Sequence, residues 1–164
     1  MKNKKVLFLT QAGLIAAVYV VLTVLLQAFS FGQVQIRVAE MLTILPVFTP
    51  AAVPGLFLGC LIGNIAGGAV LPDVICGSLA TLAGAFFTYK LRKRGLIIAC
   101  LPPIIANILV VPFVLKYAYG MSFPIPLMML TVGIGEVVGC GVLGVGLGKV
   151  LKRYKNVIFG SLTA

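Results

Sequence analysis

Residues 36–46 read IRVAEMLTILP, and the charged pair beside an apolar run decides how the rest of the chain is read. Arg37 and Glu40 stand three positions apart at the head of a hydrophobic segment. In a soluble protein this would be an ordinary amphipathic start. Here 61% of the chain is hydrophobic, only three residues are acidic, and mean hydropathy is +1.18. Soluble domains carry about a quarter charged residues, whereas this chain carries 10%. The composition implies an all-α integral membrane protein, a single transmembrane domain over 1–164, with the lipid bilayer as its solvent. A charge inside such a chain is costly, so it usually has a partner and often a function.

The net charge of +10 does not point to nucleic acid, because of its distribution. Eleven of the 13 cations fall in three clusters: Lys2, Lys4, Lys5; Lys90, Arg92, Lys93, Arg94; and Lys149, Lys152, Arg153, Lys155. Each flanks an apolar run, as cytoplasmic loops do under the positive-inside rule. Only Arg37 and Lys116 stand elsewhere. Cys60, Cys76, Cys100 and Cys140 sit in apolar stretches without paired metal-ligand spacing, so neither a disulfide nor a metal site is expected. No cofactor motif is present, His is absent, and no Walker-type sequence occurs. The basic N-terminus and apolar run resemble a signal peptide, but the run is long and lacks a clear cleavage site, so it is read as a retained first span.

Six apolar segments follow from the punctuation: 6–29, 37–54, 55–71, 73–91, 95–115 and 124–149. Six spans place both termini and all three basic clusters in the cytoplasm. A five-span reading would leave one basic cluster outside. On the six-span topology 30–36, 67–72 and 116–123 face outward. The second and third segments are short and broken by Pro46, Pro50 and Pro54, and broken segments mark binding sites in transporters. Small residues recur every fourth position: Gly55, Gly59, Gly63 and Gly67; Gly135 and Gly139; Gly144 and Gly148; Ala12 and Ala16. Such spacing lets helix backbones approach closely.

The polar residues inside the spans are the candidate site: Arg37, Glu40, Asn64, Asp73, Asn107 and Glu136. Arg37 and Glu40 would share a helical face and pair. Asp73, following Pro72, suits an N-cap. Glu136, twelve residues into the last segment, falls roughly 18 Å deep, near mid-bilayer, with no cation nearby in sequence. Glu40 and Asp73 are expected at the outer face. Three carboxylates against Arg37 and Lys116 leave one negative charge, which a monovalent cation would neutralise. A carboxylate also accepts two parallel N–H bonds, as a guanine-type edge offers. Phe31, Phe113, Tyr117 and Tyr119 could stack on such a ring or form an interfacial belt.

The stretches IRVAEMLTILPVFTPAAVPGLFLGCLIGNI, LPDVICGSLATLAGAF and VGIGEVVGCGVLG resemble the QueT family over essentially the whole chain. The Arg-x-x-Glu and Pro-Asp-Val elements are the most specific parts. The resemblance implies an S component of an energy-coupling factor (ECF) importer, binding queuosine precursors, notably preQ1 (7-aminomethyl-7-deazaguanine). It implies a six-helix S-component-like bundle in the cell membrane with both termini cytoplasmic. It also implies a transmembrane T component and two ATPase subunits as partners. Ala12 and Ala16 match the Ala-x-x-x-Ala by which such helices dock to the T component. Two rival readings are an S component for another cationic or purine-like vitamin, and a stand-alone proton-coupled transporter or channel using Glu136. An intramembrane enzyme is disfavoured, since no nucleophile–base pair is visible.

Overall fold

A computed structural model describes residues 3–26 and 37–154. Lys2, Phe31, Lys155 and the expected outward connector 30–36 lie outside the described residues. Six helical stretches carry the described chain: α1 (Lys4–Leu25), α2 (Val38–Val47), α3 (Ala52–Ala66), α4 (Leu71–Leu91), α5 (Leu96–Tyr117) and α6 (Ile125–Arg153). No strand occurs among the described residues. Four of these helices, α1, α4, α5 and α6, are long and apolar enough to cross a membrane; α2 and α3 are shorter. At ~1.5 Å per residue α3 spans roughly 22 Å, less than a hydrocarbon core of ~30 Å.

The expected break at Pro54 falls earlier. Phe48–Ala51 forms the bend, and α3 begins at Ala52 with Pro54 in its first turn, where a missing N–H does no harm. Gly68, Gly95 and Gly120 turn the chain between α3, α4, α5 and α6, each with a positive φ that side chains disfavour.

α1 buries Ala12, Ile15, Ala16, Tyr19 and Thr23, one stripe at helical spacing, and exposes Val6, Leu9, Leu14, Val21 and Leu25. Exposed aliphatics of this kind suit hydrocarbon, not water. The buried stripe meets the glycine ridge of α3. A Cβ on Gly55 would stand 2.7 Å from the Ala12 carbonyl oxygen, and one on Gly59 2.7 Å from Tyr19 Cβ. Gly63 lies against Thr23. The ridge is therefore internal packing, and α3 runs parallel to α1. Ala12 and Ala16, expected to receive a partner helix, are covered by α3 of the same chain. Spacing identifies a face but not what covers it.

α2 is a ten-residue 3₁₀ helix containing Pro46, and α6 carries an eight-residue π-helical stretch, Val137–Gly144. Both geometries are rare at such length, and π segments recur at functional sites. The two irregular segments lie against each other. Gly139 faces the Arg37 carbonyl, Gly144 faces Met41, and Gly148 faces Ile44 and Leu96. The small residues of α6 thus seat α2, which descends beside it. Arg92 and Lys152, from two of the basic clusters, line one cavity.

Candidate functional site

Every candidate polar residue in the spans is buried. Glu40 is 0% exposed, Asn64, Asp73 and Asn107 1%, Glu136 4% and Arg37 6%. They come from α2 and its cap, α3, α4, α5 and α6, and they meet in two adjoining groups.

The first group centres on Asp73. Arg37 Nη2 lies 3.5 Å from Asp73 Oδ2, and the Tyr119 hydroxyl donates to the same oxygen at 2.9 Å. Asn64 Nδ2 points at the Asp73 carbonyl at 3.5 Å. Gly77 makes room for the group: a Cβ there would stand 3.0 Å from Asp73 Oδ1 and 3.4 Å from Asn64 Nδ2. Burial and the Asp73 carboxylate push Tyr119 up to about 12, so it keeps its proton and stays a donor.

Two expectations are corrected here. Arg37 takes Asp73, not Glu40, as its ion-pair partner. Arg37 precedes the helix with extended backbone (φ −82°, ψ 93°), so the shared face assumed for an i,i+3 pair does not exist. Asp73 lies inside the first turn of α4, whose N-cap is Val70, and its side chain makes no capping bond.

The second group joins Glu40 to Glu136. Glu40 Oε1 accepts the Tyr19 hydroxyl at 2.5 Å. Asn107 Nδ2 donates to Glu136 Oε1 at 2.9 Å, and Cys140 Sγ lies 3.2 Å from Glu136 Oε2. Thr43 Oγ1 donates to the Glu40 carbonyl at 2.6 Å and also approaches Cys140 Sγ at 3.3 Å. One donor atom each from Glu40, Glu136 and Cys140 lie within 4.8 Å of one another. That closeness suits a small cation or an ammonium group, and it brings Glu40 to the depth of Glu136 rather than to the outer face.

Lys116 is not part of either group; its Nζ lies 3.3 Å from the Phe123 carbonyl oxygen in an exposed contact. The site therefore sets three carboxyls against one guanidinium, a larger anionic excess than the sequence suggested. Among the described residues, three buried oxygens have no hydrogen-bond partner: Glu40 Oε2, Asp73 Oδ1 and Asn107 Oδ1. All three are acceptors. Of the candidate aromatics, Phe113 and Tyr117 are exposed and Tyr119 serves through its hydroxyl. The chain's cysteines are free thiols.

Sequence reasoning missed Tyr19, Thr43 and Cys140. Tyr19 had a signal: a hydroxyl on the small-residue stripe of an apolar helix, one turn beyond Ala16. Cys140 stands four residues from Glu136 and so shares its helical side. A cavity of about 350 Å³ lined by Gln11, Leu14, Ile15, Leu45, Leu147 and others lies apart from these carboxyls and is nearly all apolar.

A family model described as QueT transporter matches residues 9–153. A queuosine precursor transporter QueT of Lactococcus lactis subsp. cremoris (strain MG1363) is 37% identical over 84 residues. That match covers 50% of this chain and 49% of the relative, so about half the length of the curated relative is matched. No solved structure matches the chain.

Proposed function

The chain belongs to the QueT transporter family, as a multi-pass protein of the cell membrane, and from that premise we propose that it captures a queuosine precursor, preQ1, for import. The observation that carries this reading is the trio of buried, unpartnered acceptors, Glu40 Oε2, Asp73 Oδ1 and Asn107 Oδ1. A buried polar atom without a partner is unfavourable by about 1–3 kcal/mol. A ligand that stabilises this site must therefore bring donors. PreQ1 brings them: the N–H edge of a guanine-type ring and an ammonium group. The anionic excess favours a cation. The relative's name points to the same substrate class.

Arg37, Glu40, Asn64, Asp73, Asn107 and Glu136 are the proposed binding residues. In this reading Arg37 and Tyr119 orient Asp73, Tyr19 orients Glu40, and Asn107 orients Glu136. Uphill import needs an energy source, and the sequence carries no ATP-binding motif. We therefore assign the chain the S-component role, with a T component and two ATPase subunits supplying transport. Six crossings with cytoplasmic termini accord with the meeting of Arg92 and Lys152, from two of the basic clusters, at one cavity.

Calorimetry on the purified protein tests capture. PreQ1 should bind saturably and raise the melting temperature, since a ligand for the folded state stabilises it by mass action. Guanine, which lacks the ammonium, should bind more weakly by about 1.5–3 kcal/mol, the worth of one charge-assisted hydrogen bond. No heat and no melting shift with preQ1 would refute the reading.

A further inference from the structure

The pairing of Arg37 with Asp73 leaves Glu40 and Glu136 as two carboxyls without a salt-bridge partner of their own among the described residues. Each is buried, and an oxygen of one lies within 4.8 Å of an oxygen of the other. Glu136 stands eleven residues past Ile125, roughly 16 Å along α6, deep within the span. The groups facing the pair are few. Tyr19 of α1 donates to Glu40, Cys60 of α3 and Thr81 of α4 lie beside it, and Arg37 is nearby but paired to Asp73. Asn107 of α5 and Cys140 of α6 face Glu136. Only Arg37 among them is cationic. Two like charges this close in a low-dielectric interior repel strongly, and a proton shared between them removes that repulsion.

We propose that Glu40 and Glu136 hold one proton between them in the ligand-free protein, and that the ammonium of a cationic ligand takes that proton's place. The carboxyl O–H bond breaks, its electron pair stays on oxygen, and the proton leaves to solvent. The ammonium then donates N–H bonds to both carboxylates. One positive charge replaces another, so the net charge of the site is conserved. The pair thereby selects cationic over neutral deazapurines, and capture at neutral pH releases a proton. The exchange step rests on the capture reading above; the shared proton does not.

Two measurements test it. Infrared spectra of the ligand-free protein at neutral pH should show the carbonyl stretch of a protonated carboxylic acid, which ionised carboxylates lack. The band should be missing from Glu40→Gln/Glu136→Gln, which keeps Asp73, and should vanish from the unmodified protein on adding preQ1. Its absence from the ligand-free protein overturns the proposal without reference to any ligand. So does a stoichiometric metal ion found at this site by elemental analysis of the purified protein. Calorimetry of the unmodified protein in two buffers of different ionisation enthalpy counts the protons. About one proton should leave per preQ1 bound, as expected of a pair sharing one, and none with the neutral 7-cyano analogue. Equal counts for the two ligands overturn the exchange. If neither ligand binds, the capture reading fails and exchange fails with it, while the infrared band still decides the shared proton.

Discussion

Tyr19 and Glu40, twenty-one residues apart, meet in a buried hydrogen bond of 2.5 Å from the phenol to the carboxyl. The contact ties α1 to α2 and fixes Glu40 Oε1, while Oε2 has no partner among the described residues. Removing the hydroxyl alone would release Oε1 without opening a large void. Tyr19→Phe should lower stability and preQ1 affinity together, by about 1.5–3 kcal/mol in total for a bond to a charged group. Thermal unfolding and calorimetry on the purified variant measure the two parts. Wild-type values in both would show that the contact does nothing for Glu40.

Arg37 and Asp73 form the second tie, between the cap of α2 and the first turn of α4. Breaking a buried ion pair from one side leaves a charge uncompensated, at about 3–5 kcal/mol. Arg37→Gln should therefore destabilise the protein strongly, despite the Tyr119 hydroxyl still held by Asp73. Adding Asp73→Asn should recover part of that loss. A double-mutant cycle on melting free energies gives the coupling directly. Strictly additive losses would mean the two side chains do not depend on each other.

The membrane class and the residues that meet in the site were legible because each signal is local. Apolar run length gives a span, and a charge within it marks a constrained place. The pairing was not legible. Assigning Arg37 to Glu40 assumed α-helical geometry from Arg37 onward, but the extended backbone there redirects the guanidinium to a residue 36 positions away. Neither the 3₁₀ geometry of α2 nor the π stretch of α6 leaves a periodic trace in a segment that is apolar all round. Those two segments set the depth of Glu40, which the sequence placed too near the surface.

The seat of α2 gives a prediction on glycine. A methyl group at Gly139 would stand 3.0 Å from the Arg37 carbonyl oxygen and 3.7 Å from Glu40 Cβ. Backbone cannot swing aside as a flexible side chain can, so α2 must shift and carry both residues with it. At Gly141 the nearest neighbour would be Val137 Cγ1 at 3.7 Å, an ordinary contact. Gly139→Ala should weaken preQ1 binding several-fold or more. Gly141→Ala should bind normally, and gain up to roughly 1 kcal/mol from helix propensity. Equal behaviour of the two variants in a binding titration would remove the seating role from Gly139.

The first helix separates folding from partner docking. Ala12 and Ala16 press on Gly55 and Gly59 of α3, where there is no space for larger side chains. Ala12→Leu/Ala16→Leu should therefore damage the fold, with a lower melting temperature and lost preQ1 binding, because overpacking alone is unfavourable by about 1–3 kcal/mol per site. Gly13 and Ala17 lie one residue on and are exposed; a Cβ on Gly13 would meet nothing within 4 Å. They repeat the four-residue spacing on the face that α3 leaves open. If a T component docks on this helix through small residues, these are the ones available to it. Gly13→Leu/Ala17→Leu should keep preQ1 binding and melting near wild type, while losing co-purification with a T component and ATP-dependent uptake in proteoliposomes. Uptake that survives the second pair of substitutions would move the docking surface off α1. Binding that survives the first pair would mean α1 and α3 are not packed as tightly as Gly55 and Gly59 require.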